Sequence, residues 1–273
     1  MLINGLKTDQ IDALDRGLAY GDGLFSTIKV EYGEVQLWPY HLQRLQLGAQ
    51  RLFFPEVDWT LLTTEVMQIA TNVSDKASQV IKVILTRGSG GRGYSAEGCD
   101  SPLRIILTSA YPEFYSAWQK EGIDIIHCQT TLSSNKRLAG LKSLNRLEQV
   151  LIKHELESQH ALEGIVCDDN GYVIEGCTAN LFILFSAGWY TPIIDTSGVA
   201  GVQRRNILTL AAQSGIAVGE RKIHKDELMG ARAICLSNAL MGIVPVKKYQ
   251  QQLLSLNDCT ELQSLIDQGE NEK

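Results

Sequence analysis

The chain has 273 residues, 44% of them hydrophobic and 21% charged, with a formal net charge of -6; this lies near the globular average and excludes fibrous and disordered classes. Its basic residues are scattered, with no stripe along one stretch, which argues against a nucleic-acid partner and for a small-molecule one. No apolar run approaches the ~18 residues of a membrane span, and the opening MLINGLKTDQ lacks the charged-then-apolar layout of a secretory signal, so the expected location is the cytoplasm. The six cysteines form no CxxC pair and read as reduced thiols, mostly core filler.

In chain order, Leu2-Ile3 is a short strand ended by the Asn4-Gly5 turn, and Leu24 to Val30 pairs with Val35-Gln36-Leu37 around Gly33. Leu42, Leu45, Ala49, Leu52 and Phe53 recur at helical spacing between Tyr40 and Phe54, and Leu62, Val66, Ile69 and Val73 do so again after Pro55. Strands are expected at Val80 to Thr86 and Leu103 to Thr108, separated by the glycine-rich GSGGRGYSAEGCDS. A first domain over 1–113, a connector over 114–120 and a second domain over 121–273 follow from the change of rhythm past Tyr111-Pro112.

The second part opens with a strand at Ile123 to His127 and a helix from about Leu144 to Glu157, with Leu144, Leu147, Val150 and Leu151 on one face. Gly164 to Cys167 and Tyr172 to Ile174 flank Asp169-Asn170-Gly171, a hairpin signal, and Leu181 to Phe185 is another apolar run. A helix from Val202 to Gln213, strands near Ile234 to Leu236 and Ile243 to Val246, and a polar terminal helix complete the pattern.

Several residues could carry chemistry. Gly88 to Gly93 satisfies GxGxxG after a strand, but Pro102 and a second strand follow where a dinucleotide fingerprint needs a helix. A hairpin loop bearing Arg92 and Tyr94 fits better, either as a solvated turn or with the arginine fork on a substrate carboxylate. Lys142, in AGLKSLNR, is either a surface lysine or, in partly apolar surroundings, an amine able to attack an aldehyde. Glu175 is either an ordinary strand-end carboxylate or the counter-charge of a cofactor's pyridinium nitrogen. Arg44 on the first long helix and the turn Gly201-Val202-Gln203 opening another helix are weak candidates for an anion. His154 and His160 lack the i, i+4 spacing of a metalloprotease pair, so no metal is expected.

Taken in order, DRGLAYGDGLFSTIKV, HLQRL, LTRGSGGRGYS, AGLKSLNRLEQVLIKHEL, VIEGCTANLFIL, GVQRRNIL and LSNALMGIVPV resemble the fold-type IV pyridoxal-phosphate enzymes over essentially the whole chain. This group contains the branched-chain and D-amino acid aminotransferases and the aminodeoxychorismate lyases. TRGSGGRGYS and LKSLNRLEQVL resemble the bacterial lyases. The resemblance implies a mixed α/β fold, with a small N-terminal α/β domain and a larger C-terminal domain built on a mixed, barrel-like sheet. It implies pyridoxal 5'-phosphate as cofactor, with Lys142 as the Schiff-base lysine, Glu175 on the pyridine nitrogen, and Arg44, Val202 and Gln203 on the phosphate. Asn238 lies near a further phosphate contact, although Ser237-Asn238-Ala239-Leu240 departs here from the threonine of the aminotransferases.

The substrate so implied is 4-amino-4-deoxychorismate, with Lys142 as base, Thr27 positioning substrate or delivering a proton, and Arg92 with Tyr94 on a carboxylate. The products are p-aminobenzoate and pyruvate, on the route to folate. A homodimer is implied as well. The rival is an aminotransferase of D- or branched-chain amino acids, which Phe25-Ser26-Thr27 after the GDG turn disfavours, since aminotransferases often place an aromatic hydroxyl and a glutamate there. A non-catalytic nucleotide-binding module built on the glycine-rich loop is the alternative of a different class.

Overall fold

A computed structural model describes residues 1–71 and 78–271, and the chain divides into two compact units: residues 1–111 with 141–146, and residues 112–140 with 147–273. Residues 141–146 therefore group with the first unit although they follow more than two dozen residues of the second. Val73, expected on the second long helix, lies outside the described residues.

The first unit contains β1 (Leu2–Ile3), α1 (Arg16–Tyr20), β2 (Gly23–Glu31), β3 (Glu34–Val35), α2 (Trp38–Arg51), α3 (Trp59–Ala70), β4 (Ser78–Thr86) and β5 (Leu103–Ala110). Its five strands order as β1-β5-β4-β2-β3, every pair antiparallel. Side chains alternate across a strand, so β2 gives Leu24, Ser26, Ile28 and Val30 to the interior and leaves Phe25, Thr27 and Lys29 half-buried on the other face. Ile28, Ile81, Val83 and Leu85 from the sheet pack with Leu45 and Ala49 of α2 and Leu62 and Val66 of α3 in one core. Leu37, expected as strand, instead takes a left-handed φ of 54° and starts α2, where Pro39 in the first turn needs no backbone donor.

In the second unit lie α4 (Tyr115–Glu121), β6 (Ile123–His127), α5 (Leu147–Ser158), β7 (Glu163–Cys167), β8 (Val173–Gly176), β9 (Asn180–Phe185), β10 (Gly188–Pro192), α6 (Val202–Gln213), β11 (Val218–Arg221), β12 (Ala233–Asn238), β13 (Gly242–Tyr249), β14 (Gln252–Leu253) and α7 (Thr260–Asn271). The sheet runs β11-β10-β9-β12-β13-β6-β7-β8 with β14 on β13. It is mixed: β10 and β11, β13 and β6, and β6 and β7 are parallel pairs. The two ends of this path approach each other, since Val173 N–H of β8 donates to the carbonyl of Ile223 just past β11 at 2.8 Å. The sheet curls accordingly, with Leu181, Ile183, Ile234, Leu236, Val244 and Val246 in its filled interior, as small barrels require. On the outer face Phe182, Ala233, Cys235 and Ile243 pack under Ile207 and Ala211 of α6 and Leu262 and Leu265 of α7.

Residues 115–121, which take up most of the 114–120 stretch read from sequence as a connector and the first residue after it, form α4, whose Tyr115 and Trp118 pack on the interior cluster. The helix expected from Leu144 starts at Leu147. Its buried residues are Ile152 and Leu156, while Leu147, Val150 and Leu151 are 77%, 61% and 59% exposed. Helical spacing identified the helix, but the stripe it marked faces outward.

The tight turn from β8 into β9 is closed by a buried carboxylate. Glu163 accepts the N–H groups of Gly164 (3.1 Å), Cys177 (2.9 Å) and Thr178 (2.8 Å) and also the Thr178 hydroxyl. Burial pushes its pKa up, and these donors pull it back toward the charged form. Glu163→Ala leaves buried donors unpaired at roughly 1–3 kcal/mol each, so a fall in unfolding free energy of at least about 2 kcal/mol is expected in a urea titration. All six cysteines are buried and unbridged, and desolvation raises the thiols of Cys128, Cys167 and Cys177 to about 12. Thiol reagents at pH 8 are expected to label the native chain negligibly and to reach all six thiols only after denaturation, which quantitative thiol assay checks.

Candidate active site

In the first unit Lys142 is held by its backbone. Its carbonyl accepts from Phe25 N–H at 2.9 Å, Leu144 N–H donates to Gly23 O at 2.9 Å, and Ser143 bridges Leu24. The segment 142–144 thus runs as a short extra strand beside the start of β2, which is why the helix cannot begin at Leu144. Arg146 clasps the same segment, donating from Nη2 to Leu141 O at 2.6 Å and from Nε to Ser143 O at 3.1 Å. The Lys142 Nζ lies 4.5 Å from the centroid of the Phe25 ring, a half-apolar seat for an amine. Thr27 lies on the same face of β2 as Phe25 and pairs across to Lys82, whose own Nζ is 5.1 Å from that ring.

Arg44, on α2, donates to Ser26 Oγ at 2.7 Å. Removal from bulk water and the neighbouring Arg146 pull its pKa down to about 10. His41, one turn earlier, bonds through Nδ1 to the same Ser26 Oγ at 2.7 Å. Desolvation, then Arg44, then Lys142 press the His41 pKa well below 6.5, so the ring is neutral. Lys142, Arg44, Arg146 and His41 thus share one neighbourhood, in which Arg44 and Lys142 act on His41 and Arg146 acts on Arg44.

Arg92 and Tyr94 lie in the loop between β4 and β5. Both are exposed, Tyr94 at 91%, and no helix follows the glycines before β5, so the phosphate-binding helix of a dinucleotide site is absent there. The loop is nonetheless fixed: buried Arg16 donates to the carbonyls of Gly93 (3.0 Å), Ser95 (2.9 Å) and Tyr94 (3.3 Å), and its Nε bonds Asp22 at 3.0 Å. Asp22 also pairs with Arg87 at 2.7 Å.

In the second unit Glu175 ends β8, is 5% exposed, and accepts from Val199 N–H at 2.8 Å. Gly198, at a φ of +82°, passes so close to Ile174 that a Cβ would collide. Asn180 Nδ2 holds Val199 O at 2.9 Å, and its Oδ1 occupies the space where a Cβ of Gly201 would lie. One short stretch, 198–203, therefore leads from Glu175 to the start of α6. That start has no side-chain cap, leaving the amides of Val202 and Gln203 for an anion, and Gln203 Nε2 is buried with no partner among the described residues. Asn238 is committed differently: its Oδ1 accepts Leu240 and Met241 N–H at 2.9 Å each, and its Nδ2 donates to Thr178 O at 3.2 Å. Ser237, beside it, has a buried hydroxyl with no partner among the described residues.

Each unit carries groups of the kind pyridoxal phosphate takes: the first a lysine amine on an aromatic ring beside cationic side chains, the second an uncapped helix start with an orphaned amide donor and a buried carboxylate. Reading the sequence missed Ser26, His41, Arg146 and Arg16. The pair His41 and Arg44, one turn apart in HLQRL, was the available signal for His41; Arg16 meets its loop some 77 to 79 positions along the chain and left none. Among the described residues no cluster of His, Cys, Asp and Glu could hold a metal ion.

The chain is similar to known proteins over most of its length. The profile of the family described as amino-transferase class IV matches residues 23–249. An aminodeoxychorismate lyase of Vibrio harveyi is 36% identical over 244 residues, covering 89% of this chain and 89% of that protein. The crystal structure of 4-amino-4-deoxychorismate lyase from Pseudomonas aeruginosa superposes with a TM-score of 0.90 at 34% identity, covering 98% of this chain and 97% of that one. A hypothetical aminotransferase of Mycobacterium tuberculosis in its PLP-bound form shares the fold, with a TM-score of 0.84 at 20% identity over 96% of this chain and 93% of that one. The chain belongs to the amino-transferase class IV family.

Proposed function

We propose that this chain is an aminodeoxychorismate lyase, converting 4-amino-4-deoxychorismate to p-aminobenzoate and pyruvate with pyridoxal 5'-phosphate as cofactor. The observation that carries the reading is the seat of Lys142, its backbone locked to β2 and its amine against Phe25, in a chain 36% identical to a lyase of that name. Bound pyridoxal phosphate supplies an electron sink for the carbanion formed beside the substrate nitrogen. Lys142 is the amine that would hold the cofactor aldehyde and the base that would take the ring proton. Glu175 keeps the pyridine nitrogen protonated, and its bond to Val199 N–H fixes the carboxylate.

Arg44 with the amides of Val202 and Gln203 receives the phosphate. Asn238 supports that region through the turn it caps. Arg92 and Tyr94 take a substrate carboxylate, and Thr27 orients substrate or hands on a proton. Departure of the enolpyruvyl group leaves an aromatic ring, which makes the step irreversible. The reaction belongs to the cytoplasmic synthesis of folate. The exposed stripe Leu147, Val150 and Leu151 on α5 supports a homodimer, since apolar side chains in a row favour a partner surface.

Two outcomes test this. Incubation with 4-amino-4-deoxychorismate should release pyruvate and p-aminobenzoate in equal amounts; accumulation of pyridoxamine phosphate with a keto acid would point to transamination instead. Lys142→Ala should lose the visible absorption of the bound cofactor and slow p-aminobenzoate formation by about 10²-fold or more, and unchanged turnover would reject the assignment.

A further inference from the structure

Ser26 is the one polar side chain among the four that β2 sends into the first core, between Leu24 and Ile28. It is fully buried, and so is His41 above it. A polar pair in an apolar layer costs stability unless its hydrogen bonds are made. An arginine only donates, so Arg44 Nη2 gives its hydrogen to Ser26 Oγ at 2.7 Å. Ser26 Oγ lies 2.7 Å from His41 Nδ1, and since a hydroxyl can donate one hydrogen bond and accept two, it either gives its hydrogen to Nδ1 of a ring protonated at Nε2 or accepts from an Nδ1–H. His41 Nε2 is buried and meets no partner among the described residues. His41 and Arg44 stand one turn apart on α2, so both reach the same hydroxyl from one helix face.

We infer that Ser26 and His41 are positioning residues that fix the plane of the Arg44 guanidinium for an anion, with His41 held in the Nε2–H tautomer. The inference rests on Arg44 being the phosphate ligand. A guanidinium on a long side chain loses rotamer freedom when it binds; a hydrogen bond to a fixed hydroxyl removes that freedom beforehand, which is preorganisation. Neither Ser26 nor His41 is needed to touch the cofactor itself.

The test compares pyridoxal 5'-phosphate with pyridoxal, which lacks the phosphate, binding to the full chain stripped of cofactor and read by absorbance at equilibrium. Ser26→Ala should weaken pyridoxal 5'-phosphate by roughly tenfold, the scale of one hydrogen bond to a charged group, and leave pyridoxal unchanged; Ser26→Thr, which restores the hydroxyl, should bind as the parent does. Equal weakening of both ligands, or no weakening of either, overturns the positioning role. Arg44→Gln separates this claim from the one beneath it. If Arg44→Gln leaves the ratio of the two affinities unchanged, the phosphate assignment fails and the positioning with it; if the ratio falls in Arg44→Gln but not in Ser26→Ala, positioning alone fails. A measurement on the unaltered chain guards against misfolded variants: ¹⁵N spectra of its histidine rings should show His41 protonated at Nε2 only, and a proton on Nδ1 overturns the proposed chain of donors.

Discussion

Everything chemical in the first unit depends on the pairing of residues 142–144 with the start of β2. Two backbone hydrogen bonds and the clasp of Arg146 turn what is otherwise a connecting segment into a strand-like edge. The amine of Lys142 rests from this fixed backbone against the Phe25 ring. A lysine on a free loop would spread over many rotamers and lose that entropy at each encounter. Because β2 itself is paired along its whole length with β4, the seat is as rigid as the sheet.

Positive groups collect around that seat, and the protein tolerates them through geometry. Arg146 spends its donors on carbonyls of its own segment, Arg44 on Ser26, and His41 is kept neutral by burial. The result is a basin whose field favours an anion over any neutral ligand. In the second unit Glu175 and Glu163 are both buried carboxylates, the first accepting one backbone N–H and the second three.

How far the amino-acid order revealed this differs by element. Lys142 and Glu175 stood out because of the ordered motifs around them, and each lies where backbone pairing restricts it. The α2 and α6 helices were legible from spacing, and the Asp169-Asn170-Gly171 hairpin from turn chemistry. The start of α5 was not, since Leu144 continues a helical repeat while its backbone is captured by Gly23; a tertiary pairing overrode a local preference. Nor could spacing say that Leu147, Val150 and Leu151 face outward while Ile152 and Leu156 are buried, because periodicity marks a face and not its neighbour. Short α1 and α4 hold too few residues for a period to appear. Ser26, read as part of a departure from the aminotransferases, gains its meaning only when α2 brings His41 and Arg44 over it.

The glycine-rich loop shows how a changeable surface can sit on an unchanging mount. Arg16 grips it through three main-chain oxygens, those of residues 93, 94 and 95, and a main-chain oxygen is the same whatever side chain it carries. Replacement of Arg92 or Tyr94 therefore alters what the loop offers to solvent while leaving its course intact. Such a tip lets a chain explore new ligands by single substitutions, with no need to redesign the sheet beneath.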